Sequence, residues 1–128
     1  FEYEKGFFTV AQMKKRYDYF LEDISLVNER IIQDDCDLYC YGASLMLPII
    51  PYYIPAMKKA LAIIDQDKSK IGLSYVNFDV EIKDSSNIDF SKSNVLVTAL
   101  ATKFATRKIV SKLSELKTMN IILPLNTI

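Results

Sequence analysis

The sequence predicts an α/β domain, a three-layer sandwich with a mainly parallel sheet that is preceded by a long N-terminal helix. The first observation is a helical apolar period that extends over residues 10–31. The second is a set of short, strongly apolar runs, typical of strands buried on both faces: Leu38–Tyr41, Ala60–Ile64 and Val95–Val97. The third is Gly42, which directly follows the first run. A strand, a glycine turn, a helix and a second strand in this order are typical of a Rossmann-like unit.

The N-terminal helix is the strongest periodic signal in the chain. Thr9 and Gln12 match the capping-box pattern at its start, and Asp34-Asp35 ends it. Its apolar positions recur every three or four residues: Val10, Met13, Tyr17, Phe20, Ile24, Val27 and Ile31. Residues 1–8 are interpreted as a linker or tail, and residues 9–128 as one domain, expected to be the C-terminal fragment of a longer protein.

Besides the Ala60–Ile64 strand, two more segments between the first strand and residue 82 have a predicted structure. A helix is expected over Leu45–Tyr53, with Pro48 and Pro51 near its first turn, where a missing N–H costs little. One or two short strands are expected within Leu73–Ile82. The apolar residues of that segment alternate and share one side: Val76, Phe78, Val80 and Ile82.

The C-terminal third predicts one more helix and one more strand. The helix covers Ala101–Leu116, and the strand covers Asn120–Leu123 before Pro124 stops it. The helix is expected to turn five residues inward: Phe104, Ile109, Val110, Leu113 and Leu116. The strands that begin at Leu38 and Val95 are expected to adjoin at the topological switch point, where such sheets bind ligands.

The candidate ligand site lies where the strands end. Gly42 occupies the first position of the G-x-G-x-x-G dinucleotide pattern, but Ser44 and Leu47 occupy the other two. Asp65 comes 23 residues after Gly42, where an acid would bind a ribose hydroxyl. The predicted ligand-binding residues are Tyr41, Gly42, Ala43, Ser44, Asp65, Asp67, Lys70 and Thr98. An NAD cofactor, another anionic or nucleotide ligand, and a purely structural turn all remain open.

The residue inventory excludes several kinds of chemistry. The chain has no histidine, so it holds no Ser-His-Asp or Cys-His arrangement, and it has no P-loop. No carboxylate pair stands in a recognisable catalytic motif, so no catalytic residue and no metal ligand is predicted. A net charge of zero gives no support to nucleic-acid binding, and no apolar run reaches the ~18 residues of a membrane span.

The two cysteines indicate the compartment. Cys36 and Cys40 stand four residues apart, and an extended strand separates them by roughly 13 Å, which is too far for a disulfide. Their spacing does not match a zinc site. Two reduced thiols without a targeting motif predict a cytoplasmic location.

Two short motifs follow the first two strands. They are Tyr41-Gly42-Ala43-Ser44, and Asp65-Gln66-Asp67 with Lys70 and Gly72. Together with the long helix and the later strand and helix, they resemble the C-terminal domain of the SAM-dependent sugar C-methyltransferases. The resemblance implies an accessory domain that helps to hold a nucleotide-sugar or packs on the catalytic domain of the same parent chain. It implies no cofactor in this domain, with S-adenosylmethionine bound elsewhere in the parent protein.

Two alternatives stand beside this interpretation. The resembled family usually continues the first motif with a Lys-Gly pair, whereas this chain has Leu45-Met46-Leu47-Pro48. That apolar turn, the long amphipathic helix and an aromatic tail at Phe1, Phe7 and Phe8 favour a ligand-free interaction domain, such as a homodimer. The last alternative is an NAD-binding oxidoreductase-like domain, which rests on Gly42 and Asp65 alone.

Overall fold

The computed structural model describes residues 9–99 and 102–124, so the predicted tail at residues 1–8 lies outside the described residues. The helices and strands in chain order are α1 (Val10–Gln33), β1 (Asp37–Tyr41), α2 (Ile50–Tyr53), β2 (Ala62–Ile64), β3 (Ile82–Lys83), β4 (Ser93–Val97), α3 (Lys103–Glu115) and β5 (Asn120–Ile122). Two short 3-10 helices cover Pro55–Lys59 and Phe90–Lys92.

The five strands form one parallel sheet in the order β3-β2-β1-β4-β5. β1 lies at the centre, with Tyr39 opposite Ala62 of β2 and opposite Val95 of β4. The predicted neighbours, the Leu38 strand and the Val95 strand, therefore do adjoin. This order, with β1 between β2 and β4, confirms a Rossmann-like α/β fold preceded by a long helix.

Each face of the sheet has its own apolar core. The first core joins α1, α2 and the first 3-10 helix to the sheet through buried residues such as Ile31, Ile54 and Met57. The second core joins the second 3-10 helix and α3 to the opposite face through Phe90 and Leu113. Strands covered on both faces explain why their sequences are nearly continuous apolar runs.

α1 begins and ends at residues that satisfy its terminal backbone groups. Thr9 Oγ1 accepts from the N–H of Gln12 at 3.1 Å, and Gln12 Oε1 accepts from the N–H of Thr9 at 2.8 Å, which confirms the capping box. At the other end, Lys59 Nζ donates to the carbonyl oxygens of Ile31 and Asp34, at 2.8 and 3.0 Å. These contacts tie α1 to the segment that leads into β2.

The predicted helix over Leu45–Tyr53 is wrong in its first half. Residues 45–49 form turns, and α2 covers only Ile50–Tyr53. Pro48 disfavours the helical conformation at Leu47 and cannot donate a helical hydrogen bond, so a regular helix begins only after it. Pro55 then ends α2 and begins the first 3-10 helix.

The strands predicted within Leu73–Ile82 are also mostly wrong. The only strand there is β3, which begins at Ile82, together with an isolated antiparallel bridge between Tyr75 and Phe78. Val76 is fully exposed while Phe78 is buried, so these residues do not share one side. The bridge closes a tight turn at residues 75–78, which reverses the chain and breaks the alternation.

α3 matches the predicted helix apart from its ends and its first turn. It covers Lys103–Glu115, and Ala101 lies outside the described residues. Leu113 is buried as predicted, and Ile109 and Val110 are half-buried. Phe104 and Leu116 are exposed instead of inward, and the Lys108 ammonium lies over the Phe104 ring, 4.6 Å from its centroid. α3 therefore contacts the second core through its middle and C-terminal turns.

Candidate functional site

The eight predicted ligand-binding residues do come together, at the carboxyl ends of β1, β2 and β4. Tyr41, Gly42, Ala43 and Thr98 are buried, Ser44, Asp65 and Lys70 are half-buried, and Asp67 is exposed. We call this set the carboxyl edge. Its arrangement follows from the parallel sheet, because adjacent parallel strands all end on the same side.

Gly42 makes the turn after β1 possible. Its N–H donates to the carbonyl oxygen of Ile64 at 2.8 Å, which extends the ladder between β1 and β2 by one bond. Its φ is +110°, and a Cβ at this position would lie 2.4 Å from the Cβ of Ala99. Only glycine fits such a conformation and such a close approach, so this residue is required by the turn itself.

Two hydroxyl groups of the carboxyl edge point into the chain. Thr98 Oγ1 donates to the carbonyl oxygen of Gly42 at 2.6 Å, and the Thr98 side chain has no exposed surface. Ser44 Oγ donates to the carbonyl oxygen of Thr98 at 3.0 Å. These bonds fasten the turn after β1 to the end of β4.

Asp65, the predicted ribose-binding acid, holds the backbone in place. Its Oδ2 accepts from the N–H of Ala43, and its Oδ1 accepts from the N–H of Asp67, both at 2.8 Å. Asp67 in turn accepts from the hydroxyl and the N–H of Ser69. Those two hydrogen bonds from Ser69, and then the charge of Lys70, hold the pKa of Asp67 below its ordinary value.

Lys70 and Tyr75 bind the carbonyl oxygens of the same turn. Lys70 Nζ donates to the carbonyl of Ala43 at 3.0 Å, and the Tyr75 hydroxyl donates to the carbonyl of Ser44 at 2.8 Å. Burial, and then the charge of Asp65, raise the pKa of Tyr75. Tyr75 is a site residue that the sequence did not indicate, because it lies in a loop and belongs to no motif.

Most polar groups of the carboxyl edge hold the turn after β1 in place. Both oxygens of Asp65 and the hydroxyls of Ser44 and Thr98 form bonds within the chain, and the Tyr41 hydroxyl accepts from the Gln66 amide at 3.2 Å. α2 has only four residues and begins at Ile50, so no long helix starts at the turn as in dinucleotide-binding sites. Among the described residues, no three Cys, Asp or Glu side chains converge as metal ligands would. Lys70 uses one of its three N–H donors on the Ala43 carbonyl, and the exposed Asp67 keeps acceptor sites beyond its two bonds from Ser69, so these two groups can still bind a ligand.

A cavity of about 100 Å³ lies beside the carboxyl edge, between α1 and α2. Its lining includes none of the eight predicted residues: Phe20, Ile24, Met46, Ile49, Ile50, Tyr53, Ile54 and Pro124. The Phe20 ring contacts Tyr17 in a stacked arrangement and Tyr53 edge-on, with centroids 6.1 and 5.3 Å apart. The cavity thus continues a line of apolar side chains that runs along α1.

We call that surface the apolar face; it consists of Val10, Met13, Tyr17, Phe20, Met46, Ile49 and Tyr53. Six of these side chains are exposed, and Phe20 is half-buried. Every residue from Thr9 to Tyr19 is exposed, so the sheet and the other described helices do not cover the first turns of α1. The helical period predicted the stripe but not that half of it would stay uncovered.

A broad, open groove lies beside the segment that connects β3 to β4, on the sheet face that carries the second core. Tyr39, Leu61, Lys83, Asp84 and Asn87 are among its lining residues. Tyr39 packs edge-on against Phe90, 5.7 Å between centroids, and burial and then the charge of Asp37 raise its pKa. Lys83 and Asp84 are consecutive residues of this lining, and their opposite charges give the groove no net charge to attract a charged ligand.

The comparisons with known proteins gave no match: no protein-family model, no curated protein and no solved structure matches this chain. The likeness to the sugar methyltransferases therefore stays a prediction from two short motifs. In the described part of the chain, no helix combines the length and the apolarity that crossing a bilayer requires.

Proposed function

We propose that this chain is a non-catalytic accessory domain, part of a SAM-dependent sugar-methyltransferase-like protein, that docks on a folded partner through the apolar face. The observation that carries the proposal is the exposed first half of α1. Val10, Met13 and Tyr17 are 84%, 58% and 52% exposed, although they continue the stripe that the same helix buries further on. Contiguous apolar surface rimmed by charge is typical of protein-binding sites.

The composition of the carboxyl edge supports a non-catalytic role. An enzyme needs a group that is free to give or take a proton, or to attack a substrate. The Ser44 hydroxyl donates to a carbonyl, and the Asp65 carboxylate is occupied by two N–H groups. The whole chain contains no histidine that could serve instead.

The chemistry of the apolar face supports docking on protein. Aromatic residues and methionine are enriched in the centres of protein interfaces, and this face presents two tyrosines, a phenylalanine and two methionines. The small cavity between α1 and α2 offers a pocket for one apolar side chain of the partner. Charged residues of α1 flank the stripe, as a polar rim would.

Co-expression with the remainder of the parent protein, as a separate polypeptide, tests the proposal directly. We expect the two polypeptides to copurify, and the double variant Met13→Glu with Tyr17→Glu to abolish the complex. Leu26→Glu is the matched control, because Leu26 also lies on α1 and is 64% exposed but lies off the stripe. A complex that tolerates the double variant as well as the control contradicts docking through this face.

A nucleotide-sugar bound at the carboxyl edge is the second candidate. It is favoured by Lys70 and Asp67, which offer a cation and a carboxylate at the open side of the turn after β1. Titration calorimetry with nucleotide-sugars tests it. We expect saturable heat that Lys70→Ala removes and that Lys68→Ala, an exposed lysine of the same loop, preserves. No heat at millimolar ligand would exclude binding by this domain alone.

A further inference from the structure

We infer that the outward side of α3 binds an anionic lipid surface, such as a bilayer that contains phosphatidylserine. This binding goes beyond the proposed docking function, because it concerns the other face of the sheet. α1 and α2 pack on the first core, whereas α3 packs on the second core through Ile109 and Leu113. A partner docked on the apolar face and a lipid surface at α3 therefore approach from opposite sides of the sheet.

The positive charge of the chain is concentrated around α3. Residues 90–119 contain six of the sixteen lysines and arginines but only one of the sixteen acids, so this segment carries a net charge of +5 in a chain whose total is zero. The remainder of the chain carries −5. A neutral protein whose charges are divided in this way turns its positive side towards an anionic surface.

We call the outward side of α3 the basic face; it consists of Lys103, Phe104, Arg107, Lys108 and Lys112. Lys112 is half-buried, and the other four side chains are exposed. The cations follow one another at steps of four, one and four residues, which spreads them over roughly 14 Å of helix, on the side away from the buried Leu113. Four or more cations on one side of an amphipathic helix are typical of sites that bind anionic lipids.

The cations of the basic face are not paired with carboxylates of the domain. No described carboxylate lies within ion-pair distance of them, and the ion pair that the described residues do form joins Arg30 to Asp34 at the end of α1. The first turn of α3 contains no acidic residue, and Lys103 is its first residue. Positive charge near a helix N-terminus is unfavourable, because the backbone is already positive there. An anionic surface outside the chain would offset this cost.

Phe104 adds an apolar contact to the basic face. Its side chain is 66% exposed, and the Lys108 ammonium lies 4.6 Å from the centroid of its ring. At a bilayer, a phenylalanine on a basic helix lies at the boundary between the headgroups and the acyl chains. A neighbouring lysine can lay its apolar stem along the same boundary while its ammonium group stays among the headgroups. Phe104 and Lys108 therefore form a pair that suits this boundary.

The composition of the basic face favours lipid over other anionic partners. Three of its four cations are lysines, which are depleted in protein interfaces, whereas arginine is enriched there. Single-stranded nucleic acid binds to surfaces that offer several aromatic side chains for stacking, and the basic face has one. A lysine is a point charge on a flexible stem, so it needs no fixed geometry in its partner. Mobile phospholipid headgroups are a partner of that kind.

Co-sedimentation of the full chain with vesicles tests the inference. We expect binding to vesicles of equal parts phosphatidylserine and phosphatidylcholine, release on adding salt, and no binding to phosphatidylcholine alone. Each cation near an anionic leaflet raises the affinity about fivefold, so Lys103→Glu with Arg107→Glu should weaken binding by roughly 25-fold or more. Lys58→Glu with Lys68→Glu is the matched control, because both lysines are exposed, lie outside α3 and give the same change in net charge.

A second variant, Phe104→Trp, reports on contact with the bilayer. The chain contains no tryptophan, so this variant carries a single indole fluorophore. We expect its emission to shift to shorter wavelength on phosphatidylserine vesicles, because the indole leaves water, and to stay unshifted in the presence of polyglutamate or a DNA oligonucleotide. An unshifted emission on vesicles that do bind the chain would overturn the role of Phe104.

Three results would overturn lipid binding by the basic face. The first is a native chain that does not sediment with phosphatidylserine vesicles at low salt. The second is a charge-reversed variant that is folded by circular dichroism and binds as tightly as the native chain; if the reversal prevents folding, Lys103→Gln with Arg107→Gln takes its place. The third is binding to polyglutamate or DNA without binding to vesicles, which would assign the basic face to an acidic protein or a nucleic acid.

Discussion

The carboxyl edge and the apolar face differ in whether their side chains have partners within the domain. At the carboxyl edge, the turn after β1 binds Asp65, Lys70, Tyr75 and Thr98, and its polar groups are satisfied within the chain. On the apolar face, side chains of the kind that fill the core of the same domain are left in water. The carboxyl edge, which resembles a ligand site, therefore has most of its polar groups bonded within the domain. The apolar face, which resembles a core, has apolar side chains that the other described residues leave exposed. Substitutions should therefore cost stability at the edge and association at the face.

The largest effect is expected from Gly42→Ala. The added Cβ would lie 2.4 Å from the Ala99 Cβ and 2.8 Å from its backbone nitrogen, in a conformation with φ +110°. Strain and overpacking together should lower the free energy of unfolding by about 3–6 kcal/mol. Gly72→Ala is the control, because its φ of +89° carries strain but nothing lies within 4 Å of the new Cβ. Urea denaturation should find its loss near 1–2 kcal/mol; equal losses would refute the steric explanation.

The next largest loss of stability is expected from Leu47→Ala, in the turn between the carboxyl edge and the apolar face. Leu47 has no exposed surface and packs in the first core, so we expect a loss of about 2–5 kcal/mol in the free energy of unfolding. Leu45→Ala, two residues earlier, removes a side chain that is 96% exposed and should change stability by less than about 0.5 kcal/mol. If the two variants melt alike, the division between edge and face does not hold in this turn.

Asp65→Ala tests whether the acid of the carboxyl edge is structural. It leaves the N–H groups of Ala43 and Asp67 without their acceptor, and the first of these is buried. The expected loss is about 1–3 kcal/mol, measured by thermal denaturation. The reference is Asp67→Ala, which should cost less because Asp67 is exposed and binds only Ser69. If Asp65→Ala keeps native stability, the Asp65 carboxylate is not needed to hold the turn, and a ligand-binding role is favoured instead.

The smallest expected effect is a pH dependence of stability, which three aspartates in loops cause. Hydrogen bonds from the serine two residues later, hydroxyl first and then N–H, lower the pKa of Asp67, Asp84 and Asp89. A carboxyl group whose folded pKa lies below its unfolded value stabilises the fold above about pH 4, and loses that contribution as pH falls through the folded pKa. The melting temperature should therefore fall below about pH 4. Ser69→Ala should make that fall shallower; an unchanged slope would remove Asp67 from the explanation.

The sequence predicted those features that depend on local pattern or on general topology. The capping box of Thr9 and Gln12 is a local pattern, and the neighbouring positions of β1 and β4 follow from apolar runs and right-handed connections. The convergence of Gly42, Asp65 and Thr98 follows from the same topology. Positions at the ends of parallel strands can thus be placed before any coordinates are known.

What the sequence did not predict depends on contacts between distant residues. A carboxylate that fastens a turn and one that binds a ribose have the same neighbours in the sequence, so the two oxygens of Asp65 could not be assigned. Tyr75 reaches Ser44 from a loop 31 residues later. The stripe of α1 has one period throughout, and only the position of the sheet decides that Ile31 is covered and Met13 is not.

The bond between Thr98 and Gly42 has a consequence for how the protein is made. These residues are 56 apart in the chain, and β1 needs β4 to complete the centre of the sheet. A ribosome that adds about 5–20 residues per second takes roughly 3–11 seconds to pass from one residue to the other. During that time β1 lacks its β4 neighbour, and until β2 is made it lacks both neighbours, so its unpaired edges are a template for wrong pairing. The centre of the sheet therefore cannot close before β4 has been made, and it is during those seconds that a chaperone would protect the chain most.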